Sequence, residues 1–156
     1  MALNFTTELE IHAPQQQVFD CMTDLDGYQQ WMHGLLRVDK LTDGPVAVGS
    51  SWREVRKLYG KEGGEVFEVT TYDPPGHLHL YVDGTKGITG KGEYHFDHVL
   101  TASADGTVTV TVLRTDVEID IPGFFFKVLG KMLIGTFRKA MERDHAGMKG
   151  HLEAAS

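Results

Sequence analysis

One cysteine, five prolines and no long uninterrupted apolar run define this 156-residue chain first by what it lacks. Cys21 has no second cysteine to pair with, so an internal disulfide framework is excluded. No stretch approaches the about 18 uncharged apolar residues of a membrane-spanning helix. Cations are scarce as well, 15 Lys and Arg against 22 Asp and Glu for a net charge of -7, which argues against a nucleic-acid backbone as partner. The first ten residues lack the basic start and apolar core of a secretory leader, so a reduced, cytoplasmic setting is the expectation. Repeats, low-complexity tracts and linkers are missing too, and a single domain over residues 1–156 follows.

What is present is mostly strand pattern. Phe5, Thr7, Leu9 and Ile11 alternate with polar residues, and Ala13-Pro14 stops them. Pro14 suits a first helical turn, with Val18, Cys21, Met22 and Leu25 sharing an inner side until Gly27 interrupts. A second short helix ends near Tyr28 and Trp31. Strands follow through Leu36 and Val38, after Gly49, through Phe67 and Val69, and through Leu78, Leu80 and Val82, punctuated by Gly44-Pro45 and Asp73-Pro74-Pro75-Gly76. The strand from Trp52 leaves open which face is dry. Ala104-Asp105-Gly106 reads as a three-residue hairpin loop. It places Ser103 opposite Thr107, His98 opposite Val112, Phe96 opposite Arg114 and Tyr94 opposite Asp116, with a bulge expected between Leu113 and Asp116 where the apolar phase switches.

Residues 122–152 change period. Val128, Leu129, Met132, Leu133, Phe137, Met141 and Met148 recur at helical spacing, enough for a rod of up to about 45 Å. Such a rod needs a broad arched antiparallel sheet against it, and the two can enclose a cavity. Gly130 and Gly135 weaken the helix by about 1 kcal/mol each, which suggests close approach of another element.

Several phrases, in this order, resemble those of the polyketide cyclase/dehydrase and lipid-transport (SRPBCC) superfamily, the START-like and birch-pollen-allergen-like proteins. They are Ile11-His12-Ala13-Pro14 with Val18-Phe19, Asp24 to Tyr28 with Trp31, Gly49-Ser50-Ser51-Trp52, Glu68-Val69-Thr70 with Tyr72-Asp73-Pro74-Pro75, and Tyr94-His95-Phe96 before Gly106-Thr107. The resemblance implies an α+β helix-grip fold, a curved seven-stranded antiparallel sheet wrapped around a long C-terminal helix with two short helices between strands 1 and 2. It implies a pocket for lipids, sterols, quinones, polyketides or aromatic metabolites more than any one reaction.

The expected pocket comprises Trp31, Trp52, Glu54, Arg56, Leu80, Tyr94, Phe96, His98, Arg114, Met132, Leu133, Phe137 and Met141. Apolar residues would desolvate the ligand, and the inward charges would pair or orient it. Each has a plainer reading: the tryptophans as core, Arg114 turned out by the expected bulge, Glu54 and Arg56 turned out by the opposite strand register. His77 and His79 share a strand face but lack a third ligand, so neither metal nor cofactor is expected. Cys21 reads as a small buried hydrophobe.

Phe124, Phe125 and Phe126, flanked by Lys127 and Lys131, exceed one buried stripe and would form a cavity mouth, a homodimer contact or a membrane-surface contact. The leading function is binding of a small, mainly hydrophobic molecule. The alternatives are a cyclase or dehydratase using Glu54, His98 or Arg114 to move protons, and a protein-interaction module.

Overall fold

The computed structural model describes residues 2–58, 60–105 and 108–155. Seven antiparallel strands form one sheet: β1 (Leu3–Ile11), β2 (Leu35–Lys40), β3 (Ser51–Leu58), β4 (Lys61–Asp73), β5 (His77–Asp83), β6 (Glu93–Asp105) and β7 (Val108–Asp120), in the order β1-β7-β6-β5-β4-β3-β2. The two edges are sequence neighbours. The chain crosses between them through α1 (Gln15–Thr23) and a 3-10 segment (Leu25–Gln30), and it ends in α2 (Phe124–Ala154).

Alternation decides which side of the sheet is dry. On β5, Leu78, Leu80 and Val82 are buried, and across the ladder Tyr94, His98 and Leu100 of β6 join them. The odd-numbered residues of β7 continue this face without a break from Thr111 to Ile119. The expected phase switch and bulge are therefore corrected: His98 pairs with Thr115, Phe96 with Val117 and Tyr94 with Ile119. On β6 the ladder runs to Asp105, two residues past the expected Ser103, and on β7 it opens at Val108, one past the expected Thr107; Gly106 and Thr107 lie outside the described residues. A three-position slip exchanges odd for even, which turns every β7 side chain to the other face.

The inner face of α2 is also displaced from expectation. Phe126, Gly130, Leu133, Ile134, Phe137, Met141, His145 and Met148 form the stripe that meets the sheet. Val128 and Met132 point away from it, 63% and 64% exposed. Both belong to a second apolar stripe, with Phe124 and Phe125, on the opposite side of the same helix.

Two contacts set how closely α2 approaches the rest. Near its start, a Cβ on Gly130 would stand 2.6 Å from Leu3 Cδ1; near its end, a Cβ on Gly147 would stand 2.2 Å from the carbonyl oxygen of Trp31. Arg138, between these, donates to the Thr6 carbonyl at 2.9 Å, and Lys149, just past the second, to that of Glu10 at 2.8 Å, so α2 runs along the edge strand β1. Gly135, by contrast, meets nothing within 4 Å and marks no close approach.

These glycines make opposite predictions. Gly135→Ala should stabilise by about 1 kcal/mol through helix propensity alone. Gly147→Ala carries the same propensity gain but collides with backbone, and it should lower the unfolding midpoint. Thermal unfolding of both variants checks this; a stabilised Gly147→Ala would contradict the close approach.

Candidate functional site

The core is built as two clusters. One gathers Ile11, Val18, Phe19, Tyr28, Trp31, Trp52, Leu78, Leu113 and Met148, and the other Phe5, Val82, Tyr94, Val117, Ile119, Ile121 and Phe126. Phe67 and Phe96 touch both clusters, yet both stay only partly buried although they project from the inner face. Leu133, Phe137 and Met141 of α2 are likewise half-buried against the second cluster. A strip of apolar surface beneath the middle of α2 is thus less dry than either end. Aromatic rings run through it: Trp52 stacks on Phe67 at 6.0 Å, Phe67 meets Phe96 at 5.9 Å, and Tyr94 meets Phe137 at 6.0 Å.

Polar groups border this strip. The buried Glu54 carboxylate accepts from Trp52 Nε1 at 3.2 Å and lies 3.6 Å from Arg56, which binds Asp144 of α2 at 2.8 Å and donates to the His33 carbonyl at 3.0 Å. Asp144 in turn accepts from the His33 amide at 3.2 Å. Arg56 therefore clasps β3, the loop after the 3-10 segment and α2 together. Burial pushes the Glu54 carboxyl above its usual range, against the pull of Arg56 and the Trp52 hydrogen bond. Its neighbour across the ladder, Glu65, is also raised by burial; one oxygen accepts from the Ile88 amide at 3.1 Å and the other is buried with no partner among the described residues.

His98 stands on β6 with Nδ1 2.9 Å from Thr115 Oγ1, and His145 of α2 lies over it, ring centroids 6.0 Å apart. Burial drives both imidazoles down, to about 3 for His98 and about 4 for His145. Both are neutral at physiological pH.

Of the pocket residues expected from sequence, Trp31, Trp52, Glu54, Leu80, Tyr94 and His98 are buried, while Arg56, Phe96, Leu133, Phe137 and Met141 are half-buried on the same side. Two fall elsewhere. Arg114 is on the outer face, its side chain 55% exposed and 3.3 Å from Asp116, because the β6–β7 register is odd-to-even. Met132 is on the outer stripe of α2. Sequence reasoning passed over Thr7, Glu65, Thr115, Asp144 and His145. His145 was findable, since it lies four residues after Met141 and three before Met148 on one helical stripe. Thr115 needed the correct β6–β7 register, whereas Thr7 already stood on the dry face of the first strand. Cys21, its thiol pushed up to about 11 by burial, is no nucleophile at neutral pH.

Outside the sheet–helix layer, Phe124 and Phe125 are 81% and 69% exposed, whereas Phe126 is buried. Beside them a groove of about 440 Å³ is lined by Leu3, Ile121, Pro122, Phe126, Gly130 and Lys131 among others. A second, of about 550 Å³, opens over β1, β7 and β6 and includes His79, His95, Asp97 and Asp116. The first borders the start of α2, where Phe126 and Gly130 line it, and the second lies over the sheet away from α2. Among the described residues no helix is long and apolar enough to cross a membrane, and no three side chains are grouped to hold a metal ion.

The two buried histidines predict an acid response. Their folded pKa values lie below the ordinary 6.5, so the unfolded chain takes up protons first, and stability falls as pH drops from about 6.5 toward 4. His145→Phe should flatten that loss by about 1.4 kcal/mol per pH unit over the lower part of this window, relative to the wild type. Urea unfolding at pH 7.5, 6 and 5 measures it; identical pH dependence in both proteins would contradict the buried neutral state of His145.

The described architecture has close counterparts of known structure. Ara h 8.0201 superposes with a TM-score of 0.73 over 99% of both chains at 11% identity, and TTHA0849 from Thermus thermophilus with 0.73 over 99% of both at 20%. A conserved protein from Geobacillus kaustophilus gives 0.74 over 98% of this chain and 97% of its own at 15%. At such identities the likeness is one of fold, and the fold is the helix-grip fold. No curated protein matches the sequence. The family model described as polyketide cyclase / dehydrase and lipid transport spans residues 2–153, and the chain belongs to that family.

Proposed function

We propose that the protein binds a small, mainly hydrophobic molecule between the inner face of the sheet and α2. The observation that carries this reading is the incomplete burial of Phe67, Phe96, Leu133, Phe137 and Met141, which project from the inner face and from α2 and pack against the buried residues of the two clusters. Covering these side chains would yield about 25 cal/mol for each Å² of apolar area removed from water. Met141 and Leu133 supply a deformable wall, and the aromatic run from Trp52 to Phe96 a flat one. Family membership and fold are consistent with such binding.

The same reading includes a surface for reaching that molecule. Phe124, Phe125, Val128 and Met132 form one exposed stripe at the start of α2. From Ile121 to Met141 the chain carries Lys127, Lys131, Arg138 and Lys139 and not one of its 22 acidic residues. An apolar stripe flanked by cations suits an anionic lipid surface, where each cation contributes about 1 kcal/mol. A second copy of the chain would bring like charges together.

Two measurements check this reading. N-phenyl-1-naphthylamine should bind saturably and fluoresce, and Phe67→Ser should weaken it about tenfold while Phe124→Ser leaves it unchanged. Binding that is absent, or indifferent to Phe67→Ser, would contradict the site. For the surface, the protein should sediment with vesicles of 30% phosphatidylglycerol in phosphatidylcholine but not with phosphatidylcholine alone, and Lys127→Glu/Lys131→Glu should abolish it. Equal sedimentation with both vesicles, or concentration-dependent dimers that Phe124→Ser disperses, would overturn the lipid assignment.

A further inference from the structure

Three strands place a polar row where apolar residues are the rule. Thr7 of β1 pairs with Thr115 of β7, which pairs with His98 of β6, so the three stand side by side on the inner face. All are at least nine-tenths buried, at 9%, 0% and 5% exposure, and His145 covers the row from α2 at 9%. One hydrogen bond is made within it, His98 Nδ1 to Thr115 Oγ1. Among the described residues the buried Thr7 hydroxyl, aimed into this row, has no hydrogen-bond partner.

Buried polar groups are nearly always satisfied, because leaving one unpaired costs about 1–3 kcal/mol. Thr111 shows the usual solution nearby, donating to the Ala13 carbonyl at 2.7 Å. The row therefore lacks a partner that the protein itself does not supply. We infer that Thr7, Thr115, His98 and His145 form a subsite for a neutral oxygen function, a hydroxyl or a ketone, on the hydrophobic ligand. This rests on the binding reading above and narrows it.

The chemistry selects the class. A neutral imidazole presents one donor and one acceptor nitrogen, and a threonine hydroxyl does both, which matches a group that donates and accepts. An ionised carboxylate would need a cation, and Arg56 at the border of the strip is already engaged by Asp144 and Glu54. A ligand ammonium would face imidazoles and hydroxyls with no carboxylate in the row. The ligand class is then a largely apolar skeleton carrying a hydroxyl or ketone, such as an alcohol, a phenol or a polyketide carbonyl.

Three probes of one size test it: 2-naphthol, 2-methylnaphthalene and 2-naphthoate, titrated calorimetrically into the full chain. 2-Naphthol should bind about tenfold more tightly than 2-methylnaphthalene, as one or two buried hydrogen bonds allow, with 2-naphthoate weakest. His98→Phe should erase the advantage while sparing 2-methylnaphthalene. Because that variant can misfold, Thr7→Val serves beside it: it should shrink the advantage and, by deleting an unpaired hydroxyl, raise the unfolding midpoint of the ligand-free protein. If 2-naphthol and 2-methylnaphthalene bind equally, or if the advantage survives both variants, the row holds an enclosed water only and the inference falls while the apolar site stands. If no probe binds, the apolar site falls and the inference with it.

Discussion

The distance at which α2 lies over the sheet governs everything else in the molecule. Gly130 against Leu3 and Gly147 against the Trp31 carbonyl draw its two ends in, and Arg138 and Lys149 tie its flank to the backbone of β1. With both ends held close, the ends of the inner stripe of α2 are its driest part. Phe126 and Met148 accordingly are buried while Phe137 and Met141, midway, are not. Arg56 and Asp144 close the far side by linking β3 to the same helix.

Polar residues inside this layer follow a rule of local compensation. Glu54 has Trp52 and Arg56, and Thr111 has a carbonyl. Compensation is incomplete at the Thr7 hydroxyl, beside which His98 and His145 stand, and at one Glu65 oxygen, both buried without a partner among the described residues. Desolvation keeps both histidines uncharged, so the interior carries donors and acceptors without net charge there. On the outer face, His77 lies 2.5 Å from Asp97 and His79 3.1 Å from His95, all four side chains partly exposed.

The order of elements was legible because it is written in periods and breakers. Alternation at Leu78, Leu80 and Val82, the stop at Asp73-Pro74-Pro75-Gly76 and the long helical repeat of the last thirty residues each announce their element without help from distant contacts. The site was legible only where a residue's side of its element was fixed locally. Leu80 and Phe137 meet that condition. Arg114 failed because the loop was closed too early, and a slip of an odd number of residues inverts a whole strand. Met132 failed because α2 has two apolar stripes, and periodicity alone cannot say which one the sheet takes. His145 was hidden by chemistry rather than geometry, a polar residue on the buried stripe.

An apolar molecule held between sheet and helix touches a different set of methyl groups from one lodged in the groove beside Phe124. Intermolecular NOEs from N-phenyl-1-naphthylamine to the methyl groups of the labelled protein separate the two most directly. Contacts to Leu80, Leu133 and Met141 are expected, with none to Val128. Contacts confined to Leu3, Ile121 and Val128 would place the ligand outside the sheet–helix layer and contradict the binding site set out above.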